Sequence, residues 1–264
     1  MDLAVEINDL NYIYPNKTPA LTKINLKIKK QKKTAILGTN GSGKTTLIYH
    51  LNGTLLNEDG TLKVLDHFVN KKNLHKIRQI VGLLFDNPDN QLFSTTVYGD
   101  IAFGPRNLKL DQQEVNKEVE MAMKKVGIEE ISNRPPYNLS LGQKKRAAIA
   151  GLLAMNPQIL ACDEPFSGLD PSISKQLRTI LDDLKEQGTT LIYSTHDVDL
   201  TYAWADEVII MKEGRVLDSG PVSILRDEEL MQKSGLPLPT LARLFKHSKF
   251  NPRTIEEASK FIMS

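Results

Sequence analysis

The run Gly38-Thr39-Asn40-Gly41-Ser42-Gly43-Lys44-Thr45 has the residue types and spacing to hold a phosphate chain, matching G-x-x-x-x-G-K-[ST] at every fixed position. Glycines at these places let the backbone turn tightly, so that successive N–H groups and a helix N-terminus point at one anion. Lys44 could then reach the β- and γ-phosphates, and the Thr45 hydroxyl could ligate Mg²⁺. Gly38, Asn40, Gly41, Ser42, Gly43 and Thr46 complete the candidate cradle. A glycine-rich turn that binds nothing is the alternative. It loses ground because further groups suited to phosphate chemistry follow downstream. Asp163 and Glu164 close the apolar run Ile159-Leu160-Ala161-Cys162, where the first acid could hold Mg²⁺ and the second could deprotonate an attacking water. His196 ends another strand-like run beside the expected γ-phosphate. Ser140 stands at a helix start, which makes it an N-cap and also places it at an anion-accepting end. Tyr14 ends a strand and has a ring face able to stack on a purine, although strand tyrosines are ordinary core or edge residues. His50, His67, His75 and His247 carry no such context.

These groups need elements to position them. Thr34–Leu37 reads as a strand and Thr46–Leu51 as a helix, the strand-loop-helix setting a phosphate loop requires. Alternation from Leu3 to Ile28 predicts half-buried antiparallel strands ahead of it. The basic stretch Lys27 to Lys33 is expected to be a solvated hairpin turn rather than a DNA or lipid patch. A turn at Asn57-Glu58-Asp59-Gly60 precedes a strand-like Ile80–Phe85, which runs into the polar loop 86–91. The strongest helical period lies between Asp111 and Val126, with Val115, Val119, Ala122, Met123 and Val126 on one face. Further helices are expected over Lys144–Met155 and after Ser167-Gly168-Leu169-Asp170-Pro171, the latter ended by Gly188. A hairpin around Lys212–Arg215 completes the main unit.

The fold expected is α/β: a P-loop NTPase core with a mixed, mainly parallel sheet, an N-terminal antiparallel β layer and an inserted helical subdomain. Residues 1–225 would form this unit with the insert over about 92–157, and 226–264 a small extension broken by Pro237, Pro239 and Pro252. With 264 residues, 40% hydrophobic and 25% charged, the chain can bury a full core. A net charge of +2 argues against a dedicated nucleic-acid binder. The apolar runs fall short of a membrane span, and the N-terminus lacks a signal pattern. The single cysteine, Cys162, precludes an intramolecular disulfide and suits a reducing cytoplasm.

Taken in order and spacing, the phosphate loop, Leu139-Ser140-Leu141-Gly142-Gln143, Asp163-Glu164, Ser167-Gly168-Leu169-Asp170 and His196 resemble the ATPase subunit of ATP-binding-cassette transporters over nearly the whole chain. The resemblance implies ATP and Mg²⁺ as ligands, with Tyr14 stacking adenine and Lys44, Glu164 and His196 serving hydrolysis. Mg²⁺ would fall to Thr45, Asp86 and Asp163. Ser140, Gly142 and Gln143 would act in trans on the nucleotide of a second ATPase subunit, a copy or a homologue, with Asp170 in the dimer loop. Integral membrane transporter subunits would be the other partners, at the cytoplasmic face of the cell membrane, with no nucleic acid.

Phe85-x-Asn87-Pro88-Asp89-Asn90-Gln91, Ala102-Phe103-Gly104-Pro105 and Gln143-Lys144-Lys145-Arg146-x-x-Ile149-Ala150 look like the energy-coupling-factor group, importers of cobalt, nickel or B-type vitamins. Leu236-Pro237-x-Pro239 and Thr254-Ile255-Glu256-Glu257-Ala258 are most similar to its cobalt-type branch. The expected function is therefore an ATP-hydrolysing subunit energising an importer of cobalt or nickel ions. A vitamin importer, a soluble cassette ATPase acting on nucleic acid or ribosomes, and a non-hydrolysing regulatory subunit are the alternatives. Two positions depart from the family. Asp86 stands where it has glutamine, placing a harder, charged ligand that also repels the γ-phosphate. Leu141 stands where it has glycine.

Overall fold

The computed structural model describes residues 2–57 and 59–262; Met1, Met263, Ser264 and the Glu58 of the expected 57–60 turn lie outside the described residues. The first part of the chain runs β1 (Leu3–Ile13), β2 (Pro19–Lys29), β3 (Lys33–Leu37), α1 (Lys44–Leu51), β4 (Asp59–Val64), β5 (His67–Phe68), α2 (Leu74–Ile80) and β6 (Val81–Leu84). Helices α3 (Val97–Asn107), α4 (Gln112–Val126) and α5 (Leu141–Leu153) follow. The chain returns as β7 (Ile159–Cys162), α6 (Pro171–Glu186), β8 (Thr190–Thr195), α7 (Val198–Trp204), β9 (Glu207–Lys212) and β10 (Arg215–Pro221). It ends in α8 (Glu228–Ser234), α9 (Thr240–Leu244) and α10 (Ile255–Ile262).

Two sheets result. One is antiparallel in the order β2-β1-β4-β5; the other runs β10-β9-β3-β8-β7-β6, parallel except for the β9–β10 hairpin. The central strands are buried on both faces, which is why they read as nearly continuous apolar runs. Ile36, Ile192 and Ile209 point at the antiparallel sheet and at Leu47, Ile48 and Leu51 of α1. Their neighbours Ala35, Leu37, Tyr193 and Ile210 point at the helical side. This α/β layering, with an antiparallel layer before the phosphate loop and helices between β6 and β7, is the architecture expected from the sequence.

Helix α4 has the predicted buried face, Val115, Val119, Ala122, Met123 and Val126, capped by Asp111 and closed by Gly127 at φ 63°. Helix α5 begins earlier than expected, at Leu141, because Ser140 and Gln143 form a reciprocal capping box.

The basic stretch is not a hairpin. β2 and β3 belong to different sheets, and the chain crosses between them at 30–32. Lys29 pairs with Glu207, and Lys33 meets Asp182 at 2.8 Å and lies over the Trp204 ring. These acids lie far along the chain, so local composition could not disclose that the crossing is ion-paired.

The end of the chain packs on its own core. Leu225, Met231, Leu236 and Ala242 join the cluster that holds Trp204 and Val208. Arg253 donates from Nε to the Tyr202 carbonyl at 2.8 Å, and the Thr240 hydroxyl donates to Asp199 at 2.8 Å.

Candidate functional site

The site lies where β3, β7 and β8 end together, at the carboxyl edge of the parallel sheet. β3 delivers the chain at Gly38, where an added Cβ would meet the Met211 carbonyl oxygen and the Ser42 Oγ, each at 2.5 Å. The backbone then turns through Gly41 at φ 78° and Gly43 at φ 100°, the left-handed region that glycine enters without strain. Helix α1 starts at Lys44 with no side-chain cap and no acid in its first turn, leaving its first N–H groups to other partners. Lys44 is 6% exposed, and its ammonium donates to the carbonyls of Gly38 and Thr39 at 2.9 and 3.1 Å. Ser42 Oγ is buried without a partner. A buried cation, an uncapped helix end and an orphaned hydroxyl in one concave loop fit a polyphosphate.

Below the loop, Asp163 is 1% exposed. It accepts from the Thr45 hydroxyl at 3.1 Å and from Ser194 Oγ at 2.6 Å, both on Oδ1. Burial pushes its carboxyl upward, and the two hydroxyl bonds counter this in part. The facing Thr45 and Asp163 oxygens suit a hard cation that keeps waters and borrows phosphate ligands. Among the described residues there is no group of three or more His, Cys, Asp and Glu that could hold a metal ion.

Glu164 follows at φ 43°, a left-handed conformation costly for a non-glycine residue. Its N–H donates to Ser194 Oγ at 2.9 Å. Lys44 Nζ and His196 Nδ1 converge on its Oε1 at 3.7 and 3.2 Å. Burial raises the Glu164 carboxyl above its ordinary range despite the His196 and Lys44 charges. His196 itself is exposed at the strand end. The Tyr14 hydroxyl and Thr46 Oγ1 lie 3.0 Å apart, which seats the tyrosine beside α1, and its ring meets Tyr12 edge-on.

Asp86 is exposed on the loop after β6, whose Leu84 pairs with Cys162. Its charge, with that of Asp163, bears on the half-buried Tyr49 hydroxyl, pushed up to about 12 chiefly by burial. Gln91 is engaged elsewhere: its Oε1 accepts from the Phe85 N–H at 3.3 Å and its Nε2 donates to the Ala148 carbonyl at 3.2 Å.

The structure does not bring Ser140, Gly142 and Gln143 to this loop. Ser140 is exposed and caps α5, with Gln143 N–H donating to its Oγ at 3.3 Å. An added Cβ at Gly142 would meet Ile173 at 2.8 Å, and the Leu141 side chain lies against Gly168. Asp170 caps α6 through Ile173 N–H at 3.0 Å.

Two residues escaped the sequence reading. Ser194 ties Asp163 to the Glu164 backbone; its signal was a hydroxyl within a buried strand, aligned beside the acids by the Cys162–Tyr193 pairing. Lys145 is 1% exposed and donates to three carbonyls of the Glu164–Ser167 segment. Its signal was a lysine on the same face as the buried Gly142, Ile149 and Leu152.

Known proteins supply an independent comparison. The family model described as ABC transporter matches residues 21–167. An energy-coupling factor transporter ATP-binding protein EcfA from Carboxydothermus hydrogenoformans is 44% identical over 99% of this chain and 98% of its own. The protein of that name from Methanocaldococcus jannaschii is 46% identical over 92% of this chain and 88% of its own. Among solved structures, cbiO1 from Clostridium perfringens, described as part of the ABC transporter complex cbiONQ, aligns with TM-score 0.78 at 40% identity, covering 93% of this chain and 100% of that one. A dimeric ATP-binding cassette in a post-hydrolysis state, bound to ADP and Pi, aligns with TM-score 0.75 at 26% identity, over 83% of this chain and 98% of that one.

Proposed function

Because this chain belongs to the ABC transporter family, as an ATP-hydrolysing subunit of the energy-coupling-factor type, we propose that it powers import of cobalt or nickel ions as half of a head-to-tail ATPase dimer. The observation that carries the catalytic reading is the convergence of Lys44 and His196 on one oxygen of the buried Glu164. A carboxylate whose pKa is raised by burial is a better base than one in water, and Glu164 takes the proton of the attacking water in this reading. His196 with its proton on Nδ1 donates to that carboxylate and fixes its direction. Lys44 leaves the Gly38 and Thr39 carbonyls to meet the β- and γ-phosphates. Thr45 and Asp163, with Asp86 from the adjacent loop, would hold Mg²⁺. When bound, Mg²⁺ neutralises charge developing on the phosphate oxygens. Tyr14 stacks adenine beside α1.

Ser140, Gly142 and Gln143 serve the partner's nucleotide, and Asp170 stands near the joint. This assignment rests on the exposure of Ser140 and Asp170 and on the relatives. The relatives' names and the cbiONQ complex support membrane subunits as further partners and a peripheral position on the cytoplasmic face. Among the described residues no helix is long and apolar enough to cross a membrane. A groove of about 710 Å³ beside β6, lined by Phe93, Phe103 and Arg78, is the face we assign to those subunits. Its Asp100 keeps one buried carboxylate oxygen unpartnered, which suits a basic side chain on an apolar segment. The domain division, 1–225 with an insert at about 92–157 and an extension from 226, belongs to this reading.

The deciding experiment purifies the chain from native membranes in mild detergent, identifies the co-purifying integral membrane protein, and measures ATP-dependent uptake of Co²⁺ or Ni²⁺ by the reconstituted complex. Uptake of a B-type vitamin instead would overturn the cargo. Co-purification with ribosomes or nucleic acid would overturn the transport role.

A further inference from the structure

Lys145 is a buried cation that nothing so far employs. It lies on α5, five residues from the Ser140 cap and 1% exposed. Its ammonium donates to the backbone carbonyls of Glu164 at 3.0 Å, Pro165 at 3.1 Å and Ser167 at 2.9 Å. An ammonium has three protons, so these acceptors exhaust it. Burying that charge is costly unless it is fully hydrogen-bonded, and burial pulls the Lys145 pKa down while the charges of Asp86, Glu164 and Asp163 hold it up. The acceptors span the turn that throws Glu164 into its left-handed backbone at φ 43°. The Glu164 residue is therefore gripped on both sides, its N–H by Ser194 and its C=O by Lys145.

We propose that Lys145 is a positioning residue for hydrolysis, holding the strained Glu164 backbone so that its carboxylate stays between Lys44 and His196, and fastening that backbone to the helix that begins at Ser140. The inference rests on the reading of Glu164 as the base. Since Ser140 faces a partner's nucleotide in that reading, Lys145 joins the helix that senses one nucleotide to the base that acts on the other. Lys144, next along the helix, ties it to Asp89 of the 86–91 loop at 2.7 Å.

The test uses the full-length chain carrying Lys145→Met, which keeps the length and loses every donor, or Lys145→Gln, which keeps two. Lys145→Met should lower kcat about tenfold or more with KM for ATP within about threefold, and Lys145→Gln should fall between it and the parent. Losing the ammonium leaves three carbonyl acceptors without their donor, so Tm should fall as well, and kcat is therefore read per bound nucleotide at a temperature where each variant is folded. A kcat per bound nucleotide within about twofold of the parent, whatever happens to Tm, overturns the proposal. Where methionine does not fold, the glutamine variant decides by the same criterion. In a Glu164→Gln background, Lys145→Met should take nothing further from the residual rate. An equal further loss there overturns the positioning role and leaves the base standing, whereas full turnover by Glu164→Gln alone overturns the base instead.

Discussion

Lys44 and Asp163 are 6% and 1% exposed, and their polar atoms already meet Gly38, Thr39, Thr45 and Ser194 within the chain. The start of α5 is the opposite case: Ser140 faces solvent, occupied with its own helix cap, and Leu141 is 39% exposed. The first region is largely preorganised, because its buried charges are already satisfied within the chain, while the buried Ser42 hydroxyl is left for a ligand. The second has an anion-accepting helix end and nothing of its own to act on. In the function proposed above, one chain carries a loop that binds and a helix end that serves another loop.

The largest expected effect tests the first region against itself. Lys44→Ala should lose most nucleotide affinity, whereas Glu164→Gln should keep affinity and lose hydrolysis by about 10²-fold or more. Size-exclusion chromatography with ATP and Mg²⁺ should then find the glutamine variant trapped as a dimer. A species that stays monomeric at full turnover breaks both the base assignment and the sandwich.

Ser140→Ala tests the second region, and should remove hydrolysis while nucleotide binding by the isolated chain is unchanged. Its complement is a mixture of Ser140→Ala and Lys44→Ala chains. Each is inactive alone, and the mixture should recover roughly a quarter of parental activity, since half the dimers are mixed and each holds one intact composite site. No recovery at any ratio would erase the division between the two regions.

A smaller effect is expected at Asp86, which sits near the first region without sharing its burial. Asp86→Gln should keep hydrolysis within about tenfold, roughly 1.4 kcal/mol in the barrier, while Asp86→Ala loses more and needs higher Mg²⁺. Initial rates across a Mg²⁺ titration check this. If alanine matches the parent at every concentration, Asp86 is not at the metal.

The smallest effect is on stability. Burial raises the Glu164 carboxyl, so folding favours its protonated form. That contribution is full below the ordinary carboxylate range and lost as pH rises through the raised value. Glu164→Gln should therefore raise Tm without nucleotide near neutral pH, and the gap should close as pH falls into the ordinary carboxylate range. A gap that is constant across pH would assign the effect to packing rather than charge.

Where a residue's role depends on its own backbone and near neighbours, the sequence alone determined it. The phosphate loop is legible because glycine supplies the left-handed turns at Gly41 and Gly43 and the helix must start just beyond. The buried face of α4 follows from a 3.6-residue period, and the acidic pair from its place at the end of a wholly apolar strand. Only the tertiary structure decided what Ser194 and Lys145 do. Ser194 meets Asp163 across a separation of 31 residues, through the register of β7 on β8. Lys145 meets its carbonyls 19 to 22 residues away, where α5 docks under the Glu164 turn. The two acids that pair with Lys29 and Lys33 of the basic stretch are more remote still, 178 and 149 residues along the chain from their lysines. A hydroxyl, an ammonium or a lysine run has the same local preferences whether solvated or buried. What separates the cases is the desolvation each suffers and the partner that offsets it, and both are set by which distant strands and helices come to lie together.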